Sequence, residues 1–228
     1  MGSIADNLAR IRRRMADAAA RAGRDENSVR LVAVSKTKPV AMMKEAIQAG
    51  VRILGENYVQ EAIPKIEAID LDVQFHFIGH LQSKKARQVV PHFSMIHSVD
   101  SVKLAEEISK RSLAAGKVMD ILIQVNVAGE ESKFGIRPEE LRPLLEQIAP
   151  LEGVAVKGLM TMPPYFDQPE RVRPFFGVLR ELAGSLEGKV EGVTLEELSM
   201  GMSGDFEVAI EEGATLVRVG TSIFGERV

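Results

Sequence analysis

There is no cysteine among the 228 residues, which excludes disulfides, zinc–thiolate sites and thiol nucleophiles. The four histidines, His76, His80, His92 and His97, lack the helical i, i+4 spacing and the neighbouring carboxylates of a metal site. A structural or merely polar role is expected for each, with His80 left open. No apolar run approaches the ~20 residues needed to cross a membrane, and no apolar signal core follows the charged N-terminus. A formal charge of −3 is not the basic excess of a dedicated nucleic-acid binder. The two basic runs, RIRRR at 10–14 and SKKAR at 83–87, fall in helical patterns and read as solvated helix faces. Linkers, low-complexity tracts and internal repeats are missing too. What these absences leave is a cytoplasmic chain forming one domain, with monomer as the default state.

Short apolar runs alternate with longer amphipathic stretches. Strands are expected at 31–35, 51–54, 74–78, 94–97, 119–126, 154–159, 195–199 and 215–219, and helices at 40–49, 57–69, 83–90, 101–115, 138–149, 169–187 and 204–212. Strands separated by helices of this length pair in parallel through right-handed crossovers. Eight of them suggest a (β/α)8 barrel of the TIM type, for which about 250 residues is typical. A doubly wound sheet is the alternative, but no G-x-G-x-x-G follows the first strand. The sequence ends nine residues after Val219, too few for a full helix behind the eighth strand. An amphipathic stretch from Ile4 to Ala22, with Leu8, Ile11, Met15 and Ala18 at helical spacing, is expected to fill that gap in the outer ring.

In a barrel the chemistry sits at the C-terminal ends of strands. The first strand, LVAV, runs into Ser35 and Lys36. A lysine at the lip of a buried strand loses hydration, which favours the neutral, nucleophilic amine; the ordinary alternative is a lysine turned into solvent. After strand seven, MGMSGD offers Ser203 and Gly204 at an expected helix start, and after strand eight Gly220 and Thr221 follow directly. Free N–H groups and hydroxyls there suit a phosphate, whereas an N-cap at Ser203 and a tight turn at Gly220 would be unremarkable. Alternation along TLVRVG puts Leu216, Arg218 and Gly220 on one face and Val217 and Val219 on the other, so Arg218 should point into the barrel. It would either meet a ligand there or pair with Glu56 or Asp205.

A strand-end lysine, a phosphate cradle and an inward arginine together suggest pyridoxal 5′-phosphate (PLP). Lys36 would form the internal aldimine, and Ser203, Gly204, Gly220 and Thr221 would hold the phosphate. Arg218 would face the pyridine nitrogen, where it can donate but not accept a proton, weakening the ring as an electron sink. Asn57 in GENY and His80 in GHLQ, at the ends of strands two and three, are further candidate cofactor contacts.

The segments LVAVSKTKP, GENYVQEA, FHFIGHLQSKKAR, NVAGEESKFGI, GLMTM, LSMGMSGDFEVAI and VRVGTSIFGER resemble, nearly end to end, the pyridoxal phosphate homeostasis protein family. The resemblance implies a single-domain barrel of PLP fold type III, akin to the N-terminal domain of alanine racemase, with PLP on Lys36. It also implies a role in cofactor supply and in balance with amino-acid and keto-acid metabolism, without an established reaction. Where the family often reads LQSNK, this chain has LQSKK, with Lys84 in place of Asn. Three functions are carried forward: a PLP carrier or regulator that supplies apo PLP-dependent enzymes, a PLP-dependent racemase or weak lyase, and a cofactor-free Schiff-base aldolase. Racemisation needs an acid/base on each face of the cofactor. Beyond Lys36, only Tyr58 and Tyr165 are tyrosines, and Tyr165 is the one worth testing.

Overall fold

The computed structural model describes residues 2–130 and 133–226. Eight parallel strands form a closed barrel in sequence order: β1 (Arg30–Val34), β2 (Ile53–Glu56), β3 (Gln74–Phe77), β4 (Met95–Val99), β5 (Met119–Gln124), β6 (Val154–Met160), β7 (Glu197–Ser199) and β8 (Leu216–Val219). Pairing of β1 with β8, from Arg30–Leu216 to Ala33–Val219, closes it. The architecture is the (β/α)8 barrel expected from the alternation.

Around it lie α1 (Ile4–Arg21), α2 (Val40–Gln48), α3 (Val59–Glu67), α4 (Ala86–Val89), α5 (Val102–Ala114), α6 (Leu141–Ile148), α7 (Arg173–Leu186), α8 (Phe206–Glu211) and α9 (Thr221–Phe224). Period-two alternation sorts the strand residues into two apolar sets. Val32, Ile53, Met95, Leu122, Met160 and Leu216 form one cluster, inside the barrel. Ala33, Leu54, Phe77, Ile96, Val217 and Val219 belong to a larger one shared with the helices. Leu216 and the two valines of β8 thus take the faces their alternation requires.

The N-terminal helix forms for local reasons and docks for tertiary ones. Ser3 and Asp6 make a reciprocal capping box, which satisfies two N-terminal donors. Leu8, Ile11, Met15 and Ala18 are all buried, and α1 packs against α2, α8 and α9. Asn7 Nδ2 donates to Ile223 O at 2.9 Å, and Arg14 holds Glu207. The short α9 leaves the space that α1 takes.

Several boundaries move. The second strand, expected at 51–54, begins at Ile53 and reaches Glu56, because the Val51 N–H closes the end of α2 on Ala46 O. The expected helix at 83–90 is a 3-10 turn, Ser83–Lys85, followed by the single turn of α4. The eighth helix starts at Phe206, two residues later than expected, with Asp205 rather than Ser203 at its cap.

Candidate functional site at the barrel mouth

β1 ends at Val34, and the chain turns through Lys36 and Thr37. This turn is pinned from below. Ser35 N donates to Gly55 O at 3.0 Å, and Ser35 Oγ donates to Glu56 Oε1 at 2.7 Å. Lys65, from α3, donates to Ser35 O at 2.9 Å, to Glu56 Oε1 at 3.1 Å and to Glu61 Oε1. Glu61 in turn accepts the Thr37 N–H at 2.5 Å, which holds Thr37 at a positive φ of 62°. Burial pushes the Glu56 carboxyl above its ordinary pKa, against the lowering effects of Ser35 and Lys65. Half-buried on this rigid turn, Lys36 lines a cavity of about 290 Å³ at the C-terminal mouth.

Ser203, Gly204, Arg218, Gly220, Thr221 and Asn57 line the same cavity. Gly201, at φ +87°, turns the chain out of β7; a Cβ there would come within 2.5 Å of Ala209 Cβ. Asp205 Oδ1 then accepts the Met202 N–H at 2.6 Å and braces the loop. On the other side Gly220 caps the one-turn α9. Gly220 N lies 3.3 Å from Ser203 Oγ, to which it donates, so the two loops touch. Both α8 and α9 are short, and what these loops offer an anion is local: the Ser203 and Thr221 hydroxyls and the Thr221 and Ser222 N–H groups that open α9, since those of Ile223 and Phe224 already bond Gly220 O.

Arg218 reaches the cavity from inside the barrel and is buried. Its Nη1 donates to Ser199 Oγ at 2.6 Å and its Nη2 to Thr161 O at 2.8 Å. Neither carboxylate of the alternative ion pair bonds it: Glu56 is engaged by Ser35 and Lys65, and Asp205 acts only through its charge, partly offsetting a burial that lowers Arg218 to about 10. Sequence reading missed Ser199 and Thr161. Inward alternation in β7 was the available signal for Ser199; nothing marked the Thr161 carbonyl.

Asn57 is held by close backbone packing, since a Cβ on Gly79 would fall 2.2 Å from Asn57 O. Its Oδ1 is buried with no hydrogen-bond partner among the described residues. Val34, Ile78, Met162 and Phe166 add an apolar wall, and Tyr165 stands at the rim, 80% exposed. His80 is not brought to this cavity. It stacks on Phe134 with ring centroids 3.9 Å apart, and its Nδ1 is 3.9 Å from Asp100 Oδ2. Phe134 comes from the NVAGEESKFGI segment, of which Glu131 and Ser132 lie outside the described residues, as does Arg227 of VRVGTSIFGER. Tyr58 caps α3, and Lys84 sits in the 3-10 turn; neither lines the cavity. A larger depression of about 560 Å³ at the opposite end carries exposed Arg12, Arg30 and Arg52 over apolar residues, and has no lysine.

The model of the alanine racemase N-terminal domain family matches residues 6–228. A pyridoxal phosphate homeostasis protein of Aquifex aeolicus is 50% identical, over 97% of each chain. The chain belongs to the pyridoxal phosphate homeostasis protein family. A second protein of that name, from Pseudomonas aeruginosa, is 45% identical across 100% of this chain and 97% of its own. Among solved structures, PipY of Synechococcus elongatus with PLP bound superposes at a TM-score of 0.86, with 39% identity, covering 98% of this chain and 100% of that one. Membership in the pyridoxal phosphate homeostasis family thus extends over almost the whole barrel, including every loop that lines the cavity.

Proposed function

We propose that the protein binds PLP in this cavity and acts in PLP homeostasis, holding the cofactor and releasing it to apo forms of PLP-dependent enzymes. One observation carries the reading: an amine, two polar loops and a buried guanidinium converge on a single cavity. PLP presents an aldehyde, a phosphate and a ring nitrogen, and each has a counterpart there. The chemistry PLP supplies is its aldehyde, which condenses with a primary amine and releases water. Lys36 is that amine. Ser203, Gly204 and Thr221 would hold the phosphate through hydroxyls and backbone N–H groups, Gly220 would act through the Ser203 hydroxyl to which its N–H donates, and Arg218 would donate to the ring nitrogen. The unpartnered Asn57 Oδ1 fits a ligand donor, because a buried acceptor without a partner is costly. The cavity volume of about 290 Å³ suits a single small ligand, near the lower end of small-molecule sites at roughly 300 Å³.

Arg218 also favours a holder over a catalyst. A guanidinium cannot give up its proton at ordinary pH, so the ring nitrogen stays unprotonated and draws electrons weakly. The exposed rim at Tyr165 suits a cofactor that must leave. The same residue supports a second reading, a racemase or weak lyase, because Tyr165 lines the cavity together with Lys36 and could supply a second acid/base. No helix among the described residues is long and apolar enough to cross a membrane, and we place the protein in the cytoplasm as a single-domain monomer.

Absorbance of the purified protein with PLP, before and after borohydride, followed by peptide mass mapping, tests the reading. A visible band that disappears and leaves a pyridoxyl group on Lys36 is expected. A colourless protein that stays unmodified sinks it and favours the cofactor-free aldolase. Loss of Cα–H from amino acids in deuterated water, abolished by Tyr165→Phe, would establish the racemase instead.

A further inference from the structure

Arg218 is the end of a buried hydrogen-bond chain. His76 Nδ1 lies 2.9 Å from His97 Nε2, His97 Nδ1 lies 2.9 Å from Ser199 Oγ, and Ser199 Oγ lies 2.6 Å from Arg218 Nη1. The four residues come from β3, β4, β7 and β8, and none is more than 4% exposed. They cross the interior beside apolar residues such as Val32, Met95 and Leu216. Polar groups in such a place are costly unless every member is satisfied.

The direction of the chain follows from donor chemistry. A guanidinium only donates, so Ser199 Oγ accepts from Arg218. The serine's own proton then needs an acceptor, and its other partner is His97 Nδ1. That puts the His97 proton on Nε2, from which it is donated to His76 Nδ1, and the His76 proton is on Nε2 as well. Each donor therefore points away from Arg218. Burial supports two neutral rings, with His76 lowered to about 3 and His97 well below its ordinary value.

We propose that Ser199, His97 and His76 are positioning residues, a chain of single polarity that fixes the Arg218 guanidinium against the ring nitrogen of the bound cofactor. This rests on PLP occupying the cavity. With one Nη tied to Ser199 and the other to the Thr161 carbonyl, the guanidinium plane cannot rotate, and its remaining N–H groups keep one direction. An apolar residue at 199 would fill similar space and leave the plane tied at Nη2 alone.

Two measurements test the proposal. Nitrogen-resolved NMR of the histidine rings in cofactor-free protein at neutral pH is expected to show both His76 and His97 neutral and protonated on Nε2. A proton on Nδ1 of His97 would overturn the chain's direction. PLP titrations of wild type, Ser199→Ala and Ser199→Thr, followed by absorbance, give the second readout. Loss of one hydrogen bond to a charged group predicts about tenfold weaker retention in Ser199→Ala, with a shifted absorbance of the bound cofactor, and recovery of both in Ser199→Thr. If Ser199→Ala lowers only the unfolding temperature and leaves affinity and absorbance at wild-type values, the chain is core packing and the proposal fails. If wild type itself takes up no PLP, the functional reading has failed and takes this use of the chain with it.

Discussion

Lys65 and Arg218 are both buried cations near the barrel mouth, 9% and 4% exposed, yet they are satisfied in opposite ways. An ammonium has three donors, and Lys65 uses all three on Ser35 O, Glu56 and Glu61, two of them carboxylates. A guanidinium has five, and Arg218 spends bonds on one hydroxyl and one carbonyl, both neutral. Lys65 is therefore neutralised in place and has nothing left for a ligand, while Arg218 keeps its charge and spare donors beside a cavity. The first arrangement braces the turn that carries Lys36. On the proposed reading, the second serves an acceptor from outside the chain.

The sharpest way to break this contrast is to remove each cation. Lys65→Met strands Glu56 and Glu61 without a counter-charge, and truncating one side of a buried ion pair costs about 3–5 kcal/mol; urea denaturation should show a loss of that order. Arg218→Met removes a buried charge with no carboxylate bonded to it among the described residues, but leaves Ser199 Oγ and the Thr161 carbonyl without their donor, so the same experiment should show a smaller loss, about 1–3 kcal/mol, while PLP retention falls at least tenfold. Equal stability losses from the two variants would end the distinction between brace and ligand site.

A smaller effect tests the interior behind Arg218. His76 and His97 have folded pKa values below the ordinary histidine value of 6.5, down to about 3 for His76, because burial disfavours the charged ring. The unfolded chain therefore takes up protons that the folded one refuses. Their contribution to stability is complete above about pH 6.5 and is lost as pH falls from there, by about 1.4 kcal/mol per pH unit for each ring. His97→Gln should remove one ring's share, so its stability between pH 7 and pH 5 declines less steeply than that of wild type. Parallel profiles would mean that His97 is not held neutral by the fold.

Much of the site was legible because it follows chain-local rules. An apolar run ending in Ser-Lys announces a strand and its lip, and alternation in LVRV puts Arg218 inward with the valines outward. Glycines and hydroxyls after the last two strands mark the cavity's polar loops. What the reading placed less well depended on groups distant in sequence. His80 has the right strand end but an aromatic neighbour, Phe134, from a loop 54 residues away to stack on. The second strand slipped toward Glu56 because Val51 was needed to close α2.

By itself the sequence determined the eight-strand rhythm, the helix that covers the gap behind β8, and which side of each strand faces inward. These rest on period, propensity and turn chemistry, all of which act over a few residues. Which inward groups meet was decided by the closed barrel alone. Ser199 lies 102 residues from His97 and 19 from Arg218, and Lys65 reaches the Ser35 carbonyl across 30. Such meetings depend on strand register and barrel closure, to which a period of two is blind: it fixes the face of a residue but not the neighbour across the sheet.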